Sequence, residues 1–372
     1  MDNLLKPRIR FKGFTDVWEQ RKAKDLCSIT TGKSNTQDQV QDGKYPFYIR
    51  SDIPVRSNRY LYDEEAVITI GDGNIGRVFH YVNGKFDLHQ RCYKMANFKA
   101  LTAKYFYYYF STKFYERAMS MTAKATVDSV RLEMISDMEI KFPKSTTEQT
   151  NISELLTNLD NLITLHQRKC DKLVELKKSL LEKMFPKNSS NIPEIRFKGF
   201  TDVWEQRKFE NIFNYERPDK YIVNSTEYLE FGPTPVLTAN KAFILGYTVE
   251  KNKYVNSHES IIFDDFTLDT KFVDFPYMVK SSAIKILTLK DEKKDNIRFN
   301  FELLSNHRFN MLGHARHYIS VVQPEEVFTT NKQEQNKIGD LFTNLDNLIT
   351  LHQRKHEKLV NLKQSLLNDM FI

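Results

Sequence analysis

Two stretches of the chain carry apolar residues at the mixed three- and four-residue spacing of a long amphipathic helix. This spacing predicts helices over residues 145–186 and 331–372 whose apolar faces form a coiled-coil seam. The predicted seam residues are Ile152, Leu155, Leu159, Leu162, Leu173, Leu176, Leu180, Ile338, Leu341, Leu345, Leu348, Leu359, Leu362 and Leu366. A lone helix of this length would expose too much leucine, so we expect each helix to pair with the other.

The two helices belong to a duplication of the whole chain, because residues 148–185 and 334–371 are identical at 27 of 38 positions. Residues 7–22 and 193–208 likewise share PRIRFKGFTDVWEQRK with a single difference, at the same offset of 186. The intervening inserts, 23–144 and 209–330, share little beyond a weak echo of Glu65–Gly71 in Glu259–Asp265. Matched frames around unlike inserts indicate shared assembly and separate recognition.

The duplication predicts an α+β chain with an internal pseudo-two-fold repeat, in which two mixed α/β domains are separated by two long antiparallel helices. The predicted segments are a domain at 1–144, a helix at 145–186, a domain at 187–330 and a helix at 331–372. Pseudo-symmetry would place the two inserts at opposite ends of the helix pair. Polar residues interrupt the predicted seam midway and would fix its register: His166, Lys169, His352 and Lys355. An ion-binding role for these histidines is disfavoured, since no second ligand lies at metal spacing.

Both inserts read as mixed domains. Short apolar runs in residues 40–95 and in the second insert predict strands, and LTAKYFYYYFSTKFYERAMS at 101–120 predicts a helix. The aromatic run Tyr105 to Phe110 could stack on bases. A core helix is the favoured interpretation, because six consecutive aromatic residues cover every face of a helix.

Enzyme motifs give weak signals. Gly71, Gly73 and Gly76 spell GxGxxG, but the next residues predict a strand where a dinucleotide site needs a helix. The sequence has no GxxxxGK[ST] and no Asn-Pro-Pro-aromatic or Asp-Pro-Pro-Tyr tetrapeptide. Two weak metal-site alternatives remain. They are a nuclease-like set (Asp264, Asp265, Asp269 and Lys271) and a zinc-binding set (His307, His314 and His317).

Composition narrows the class of protein. The 372 residues carry a net charge of +7, which permits a polyanionic partner without requiring one. Three separated cysteines favour a reducing compartment over a disulfide scaffold or a cysteine zinc site. No apolar run approaches membrane-spanning length and the first residues lack a signal-peptide core. We therefore expect a cytoplasmic protein with no metal site and no membrane association.

The repeated RFKGFTDVWEQRK, the repeated NLDNLITLHQRKxxKLxxLKxSLL helix and the two variable inserts resemble the specificity subunits of type I restriction–modification enzymes. The first motif and helix are similar to those of Gram-positive bacterial members. The second insert is similar to a recurring type of target recognition domain. The resemblance implies that each insert reads one half of a bipartite double-stranded DNA target. The helices would act as a spacer and bind two methyltransferase (modification) subunits.

The resemblance also implies that restriction/translocase subunits join the larger complex and that this chain has no catalytic residues and no cofactor of its own. S-adenosylmethionine, ATP and magnesium would be bound by the partner subunits. Two other classes stay open: a stand-alone nuclease or methyltransferase would need a catalytic cluster, and a purely structural coiled-coil protein would not need two divergent inserts.

Polar and basic loop positions are the candidates for DNA contact, because Lys and Arg bind phosphate, Arg suits guanine, and Asn and Gln suit adenine. In the first insert they are Lys33, Ser34, Arg50, Arg56, Asn58, Asp72, Asn74, Arg77, Gln90, Arg91 and Lys124. In the second they are Thr238, Asn240, Lys241, Asp265, Thr267, Lys271, Ser281, Ser282, Arg316 and His317. The repeated Trp18 and Trp204 are interpreted as structural anchors.

Overall fold

A computed structural model describes residues 5–121, 129–187, 190–240, 242–255, 259–310, 313 and 316–372. The chain forms two compact units. Unit 1 comprises residues 1–166 and 354–372, and unit 2 comprises residues 167–353. The units do not follow the four predicted segments, because both long helices contribute residues to both units.

The described strands of unit 1 are β1 (Glu19–Lys22), β2 (Ser28–Thr31), β3 (Tyr45–Tyr48), β4 (Val55–Ser57), β5 (Tyr62–Ile70), β6 (Phe79–Leu88), β7 (Cys92–Ala96) and β8 (Glu139–Phe142). Its helices are α1 (Ala23–Leu26), α2 (Ala103–Ser120), α3 (Leu132–Ser136), the first part of α4 (Thr146–Met184) and the last part of the second long helix, α6 (Lys332–Met370).

The described strands of unit 2 are β9 (Glu205–Lys208), β10 (Phe213–Glu216), β11 (Thr234–Leu237), β12 (Ile244–Thr248), β13 (Ser260–Asp264), β14 (Thr270–Val273), β15 (Met278–Val279), β16 (Ile284–Leu289) and β17 (Glu326–Thr329). Its helices are the second part of α4, α5 (Ile297–Asn306) and the first part of α6 (Lys332–Met370).

The two inserts fold on one sheet plan despite their unlike sequences. In unit 1 the strand order is β2-β7-β5-β6-β3-β4. Unit 2 has β10-β16-β13-β14 and β12-β11-β15. The plans coincide if β14 and β15 replace the single strand β6, since β3 pairs in parallel with β6 and β11 pairs in parallel with β15. The weak sequence echo therefore marks the equivalent central strands β5 and β13.

The repeated motif forms the frame of each unit. Its EQRK segment is β1 in unit 1 and β9 in unit 2, paired antiparallel with the strand that precedes a long helix, β8 or β17. In unit 1 the Nε and Nη2 atoms of Arg10 donate to Glu148 at 2.6 and 2.8 Å. In unit 2 the Nε and Nη2 atoms of Arg196 donate to Glu334 at the same two distances. Each carboxylate is almost fully buried, so the two-point ion pair fixes the helix start against the motif.

Helix α2 forms the core of unit 1. Five of its six consecutive aromatic residues are buried, and the sixth, Tyr107, is half-buried. This confirms the core interpretation over base stacking. Trp18 packs edge-on against Tyr105 in unit 1, while Trp204 packs edge-on against Phe185 in unit 2. Both tryptophans are buried, which agrees with their interpretation as structural anchors.

The long helices run antiparallel within each unit. In unit 1 the Lys363 Nζ donates to Asp160 at 2.5 Å, and Phe371 at the end of α6 joins the cluster that contains Ile152 near the start of α4. In unit 2 the Lys177 Nζ donates to both carboxylate oxygens of Asp346 at 2.8 Å. The two ion pairs are equivalent under the offset of 186, as pseudo-two-fold symmetry requires.

The observed seam contains eight of the fourteen predicted positions and departs from the prediction at the other six. Successive positions at four- and three-residue steps along α4 are buried or half-buried: Ile152, Leu156, Leu159, Ile163, His166, Cys170, Leu173, Lys177, Leu180 and Met184. The equivalent positions of α6 behave alike: Ile338, Phe342, Leu345, Ile349, His352, His356, Leu359, Lys363, Leu366 and Met370. This is an uninterrupted heptad pattern, in which the histidines and lysines occupy seam positions.

Several predicted seam residues therefore lie outside the seam. Leu162, Leu176, Leu348 and Leu362 are exposed, and Lys169 and Lys355 are exposed as well. Leu155 and Leu341 are half-buried on the flank of the seam. The prediction was wrong at these positions because it chose leucines that lie one residue before the true seam positions, whereas His166 and His352 lie in the seam as predicted. Among the described residues, no helix is long and apolar enough to cross a membrane.

The end of each long helix packs into the core of the unit that contains the other repeat's insert. Phe371, at the end of α6, packs edge-on between Tyr105 and Tyr109 of α2 in unit 1. Phe185, just after α4, packs against Trp204 and stacks on Phe299 in unit 2. Each unit therefore depends on a helix that belongs to the other repeat.

We expect Phe371→Ala to destabilise unit 1 by about 3–5 kcal/mol, because it leaves a cavity between two buried tyrosine rings. Hydrogen exchange followed by mass spectrometry should show lost protection in α2. Phe185→Ala is the matched control and should remove protection in α5. Equal loss in both units from either variant would contradict this assignment.

Candidate nucleic-acid interface

Three loops of unit 1 meet beside the carboxyl end of the central strand β5. They follow β3, β5 and β6, and they carry Arg50, Asp72 and Arg91 respectively. The Oδ2 atom of Asp72 accepts hydrogen bonds from Arg50 Nη1 at 3.1 Å and from Arg91 Nη1 at 2.7 Å. The Arg91 side chain is 62% exposed and the Arg50 side chain is 45% exposed. The loops thus present two guanidinium groups on one carboxylate.

Neighbouring polar groups extend this surface. Gln90 is exposed and its Nε2 donates to Asn35 Oδ1 at 2.5 Å, which adds an asparagine that the sequence did not suggest. The Nδ1 of His89 accepts from the backbone N–H of Arg91 at 3.1 Å. Burial, and then the neighbouring Arg50 guanidinium, lower the pKa of His89 below its ordinary value. A neutral imidazole is therefore favoured at physiological pH, as its acceptor role requires.

Other candidates of the first insert fall into different roles. Lys33, Asn58, Asn74 and Arg77 are exposed, and the Arg77 guanidinium lies 3.9 Å from the centre of the Tyr115 ring. Arg56 donates to two backbone carbonyls, of Gly43 and Lys44, so it holds a loop in place. Lys124 lies outside the described residues.

Ser34 is fully buried, which corrects its prediction as a DNA contact. Its hydroxyl donates to Asp87 at 2.5 Å and accepts from Arg59 at 2.9 Å. The sequence did not indicate this burial, because the partners Asp87 and Arg59 are distant in sequence and only the fold brings them to Ser34.

The GxGxxG sequence is a turn between strands. Residues 71–78 join β5 to β6, so no helix follows the glycines. Gly73 and Gly76 have φ values of 86° and 68°, which favour glycine. A Cβ atom on Gly71 would lie 2.5 Å from the carbonyl oxygen of Arg91, so glycine permits the close approach of the two chains.

In unit 2, loops after β11 and β13 and before β16 meet at the equivalent end of the sheet. Asn240 Nδ2 donates to Asp264 Oδ2 at 3.2 Å, and the backbone N–H of Asp265 donates to the carbonyl of Ala283 at 2.8 Å. Asp264 also accepts the backbone N–H groups of Phe266 and Thr267. Here an asparagine amide contacts the aspartate, where unit 1 uses arginines, and backbone hydrogen bonds join the loops in both units.

The exposed candidates on this second surface are Thr267, Ser282 and Arg316. Lys271, Asn240 and Ser281 are half-buried, and Thr238 is buried with its hydroxyl donating to Asn240 Oδ1 at 3.0 Å. Lys241 lies outside the described residues. Phe266 is exposed beside this surface and was not among the predicted contacts.

Asp265 and His317 are structural, which corrects their prediction as DNA contacts. Asp265 is almost fully buried and accepts from Lys285 Nζ at 2.7 Å and from the backbone N–H of Tyr318 at 2.8 Å. His317 is fully buried, with Nδ1 lying 3.1 Å from the carbonyl of Asp265. Buried charge requires a partner of this kind.

Residues of both proposed metal sites are engaged in other contacts. Asp264 and Asp265 are engaged in the turn and in the buried ion pair, while His307 lies 3.2 Å from Glu325. His314 lies outside the described residues. Across the part of the chain that the structure describes, no group of three or more His, Cys, Asp or Glu side chains is placed to hold a metal ion.

Comparison with known proteins decides the family. The profile described as "Type I restriction modification DNA specificity domain" matches residues 15–175 and again residues 201–361. The chain belongs to this specificity family. It is a type I restriction–modification specificity subunit with two recognition domains, as the resemblance implied. Each match takes in one copy of the repeat, including most of its long helix.

Relatives and a solved structure agree with this membership. The EcoR124I/EcoR124II specificity subunit of Escherichia coli is 41% identical over 113 residues, which span 29% of this chain and 28% of that protein. The MjaVIII specificity subunit of Methanocaldococcus jannaschii is 22% identical across 94% of this chain and 91% of the relative. The crystal structure of an S subunit from M. genitalium shares the fold, with a TM-score of 0.73, 18% identity and 99% coverage of both chains.

We expect Asp265→Ala to cost about 3–5 kcal/mol in the free energy of unfolding, because it leaves Lys285 buried without its partner. Asp269→Ala, an exposed residue in the same loop, is the matched control and should change stability by less than about 0.5 kcal/mol. Chemical denaturation measures both. A stable Asp265 variant that has lost DNA binding would restore Asp265 as a contact residue.

Proposed function

We propose that each unit of this specificity subunit reads one half of an asymmetric, bipartite double-stranded DNA target. One observation carries this proposal: the two units share a strand order and an Arg–Glu frame, yet present different side chains at the same end of the sheet. Arg50 and Arg91 lie exposed in unit 1, while Asn240 and Thr267 lie at the corresponding loops of unit 2. Different donors select different base edges.

The paired helices, in this proposal, set the number of unread base pairs between the half-sites. The heptad seam supports a rigid spacer, since its register is fixed by the equivalent ion pairs Lys363–Asp160 and Lys177–Asp346. An α-helix rises about 1.5 Å per residue, so the length of a paired helix converts directly into separation.

The helices would also bind two methyltransferase subunits. Three exposed leucines in unit 1, Leu162, Leu165 and Leu362, have exact counterparts at the offset of 186 in unit 2. The counterparts are Leu348, Leu351 and Leu176. A contiguous patch of exposed apolar side chains marks a protein contact, and two equivalent sets of leucines would suit two copies of one partner.

The chain itself has no catalytic activity in this proposal. S-adenosylmethionine, ATP and magnesium would be bound by methyltransferase and restriction/translocase subunits, and the complex would act in the cytoplasm. The roles of Asp264, Asp265 and His317 in holding loops support a reader that supplies no chemistry.

Replacing residues 209–330 with another recognition insert should change one half of the methylated sequence and leave the other half and the spacing unchanged. The measurement is methylation mapping of DNA incubated with the chain and its methyltransferase. The chain without the methyltransferase is the control and should leave DNA unmodified. Changes in both half-sites would contradict independent reading.

Leu162→Glu combined with Leu348→Glu should weaken methyltransferase binding by at least tenfold and change stability little, because both side chains are exposed. The pair Asn161→Glu and Asn347→Glu adds the same charges at exposed neighbouring positions and is the matched control. Binding is measured by titration calorimetry. Equal affinities for the two double variants would rule out the leucine surface.

A further inference from the structure

The Arg50–Asp72–Arg91 group is an unusual arrangement for a surface that binds a polyanion. If phosphate attraction were its whole purpose, a carboxylate between the two arginines would cancel part of the charge and reduce affinity. The carboxylate instead orients the guanidinium groups, because one oxygen accepts a terminal N–H from each. Orientation matters most where a planar donor pair must match a planar acceptor pair.

The backbone fixes Asp72 in this position. The N–H of Gly71 donates to the carbonyl of Arg91 at 2.7 Å, and the N–H of Val130 donates to the carbonyl of Gly71 at 2.6 Å. The second carboxylate oxygen, Oδ1, is buried and has no hydrogen-bond partner among the described residues, so Oδ2 alone contacts the arginines. Asp72 is therefore a positioning residue and not itself a base contact.

Each arginine keeps most of its donors available. A guanidinium has five N–H groups, and Asp72 takes one from each arginine. Arg91 lines an open cavity of about 300 Å³ together with Asp72, Gln90 and Tyr93, and Arg50 reaches the same site through its hydrogen bond to Asp72. Guanine offers two acceptors, O6 and N7, on its major-groove edge, which match a guanidinium fork.

We propose that Arg50 and Arg91, positioned by Asp72, read guanine in the half-site recognised by unit 1. This inference rests on the proposed function and adds to it a base, a contact pair and a positioning residue. The described residues of unit 2 have a different contact at the equivalent loop, where Asp264 accepts hydrogen bonds from backbone N–H groups and from the Asn240 amide. Guanine reading of this kind is therefore specific to the first half-site.

The test maps methylation by the complete methyltransferase complex over a library in which every base of the target is varied. Arg91→Lys keeps the charge but loses the two-point geometry. It should lower the preference for guanine at one position of the first half-site by about 5- to 150-fold, the range expected for a two-point base contact of about 1–3 kcal/mol. Arg50→Lys should act likewise, and Asp72→Asn should lower the preference while both arginines remain.

The second half-site and the spacing should stay unchanged, and thermal unfolding of each variant checks that the chain folds. Arg316→Lys, an exposed arginine of unit 2, is the matched control and should leave the first half-site intact. Uniform weakening over all sequences, with a shallower salt dependence, would assign the arginines to phosphate and overturn the proposal. A wild-type complex without sequence preference would instead overturn the proposed function itself, and this inference with it.

Discussion

The structure depends on an exchange of helix ends between the two repeats. Phe371 fills the aromatic core of unit 1, and its counterpart Phe185 fills that of unit 2. Since each phenylalanine is carried on a helix that starts in the other unit, neither sheet completes its core from its own repeat alone. The same helices are anchored at their starts by buried glutamates, Glu148 and Glu334, held by the repeated motif. The same contacts between the repeated motif, the insert and the helix end therefore assemble both units.

This constraint explains which parts of the sequence are repeated and which are free. Residues of the frame meet residues of the other repeat's helix, so their shapes must match, and the duplication is nearly exact there. The loops beyond β5 and β13 carry different partners for their aspartates, two arginines in unit 1 and an asparagine amide in unit 2. A chain built in this way can present an arginine pair in one unit and amides in the other without altering how it folds.

The sequence was sufficient to predict the duplication, the paired helices and the mixed character of the inserts. These features follow from the repeated segments and from the spacing of apolar residues. Part of the seam was placed one residue too early, since Leu176 is a stronger apolar signal than Lys177, which occupies the seam. Asp265 resembled a surface residue until the fold brought Lys285 to it. The pairing of Arg10 with Glu148 also spans 138 positions, although the repetition of both residues in the second copy was a signal that could have revealed it.

Methylated bases mapped across DNA modified by this chain and its methyltransferase test the central claim most directly. Two unlike recognition units on one matched frame predict two unlike short sequences, separated by a constant number of bases of any identity. A single uninterrupted sequence, two inverted copies of the same half-site, or a variable separation would contradict the account.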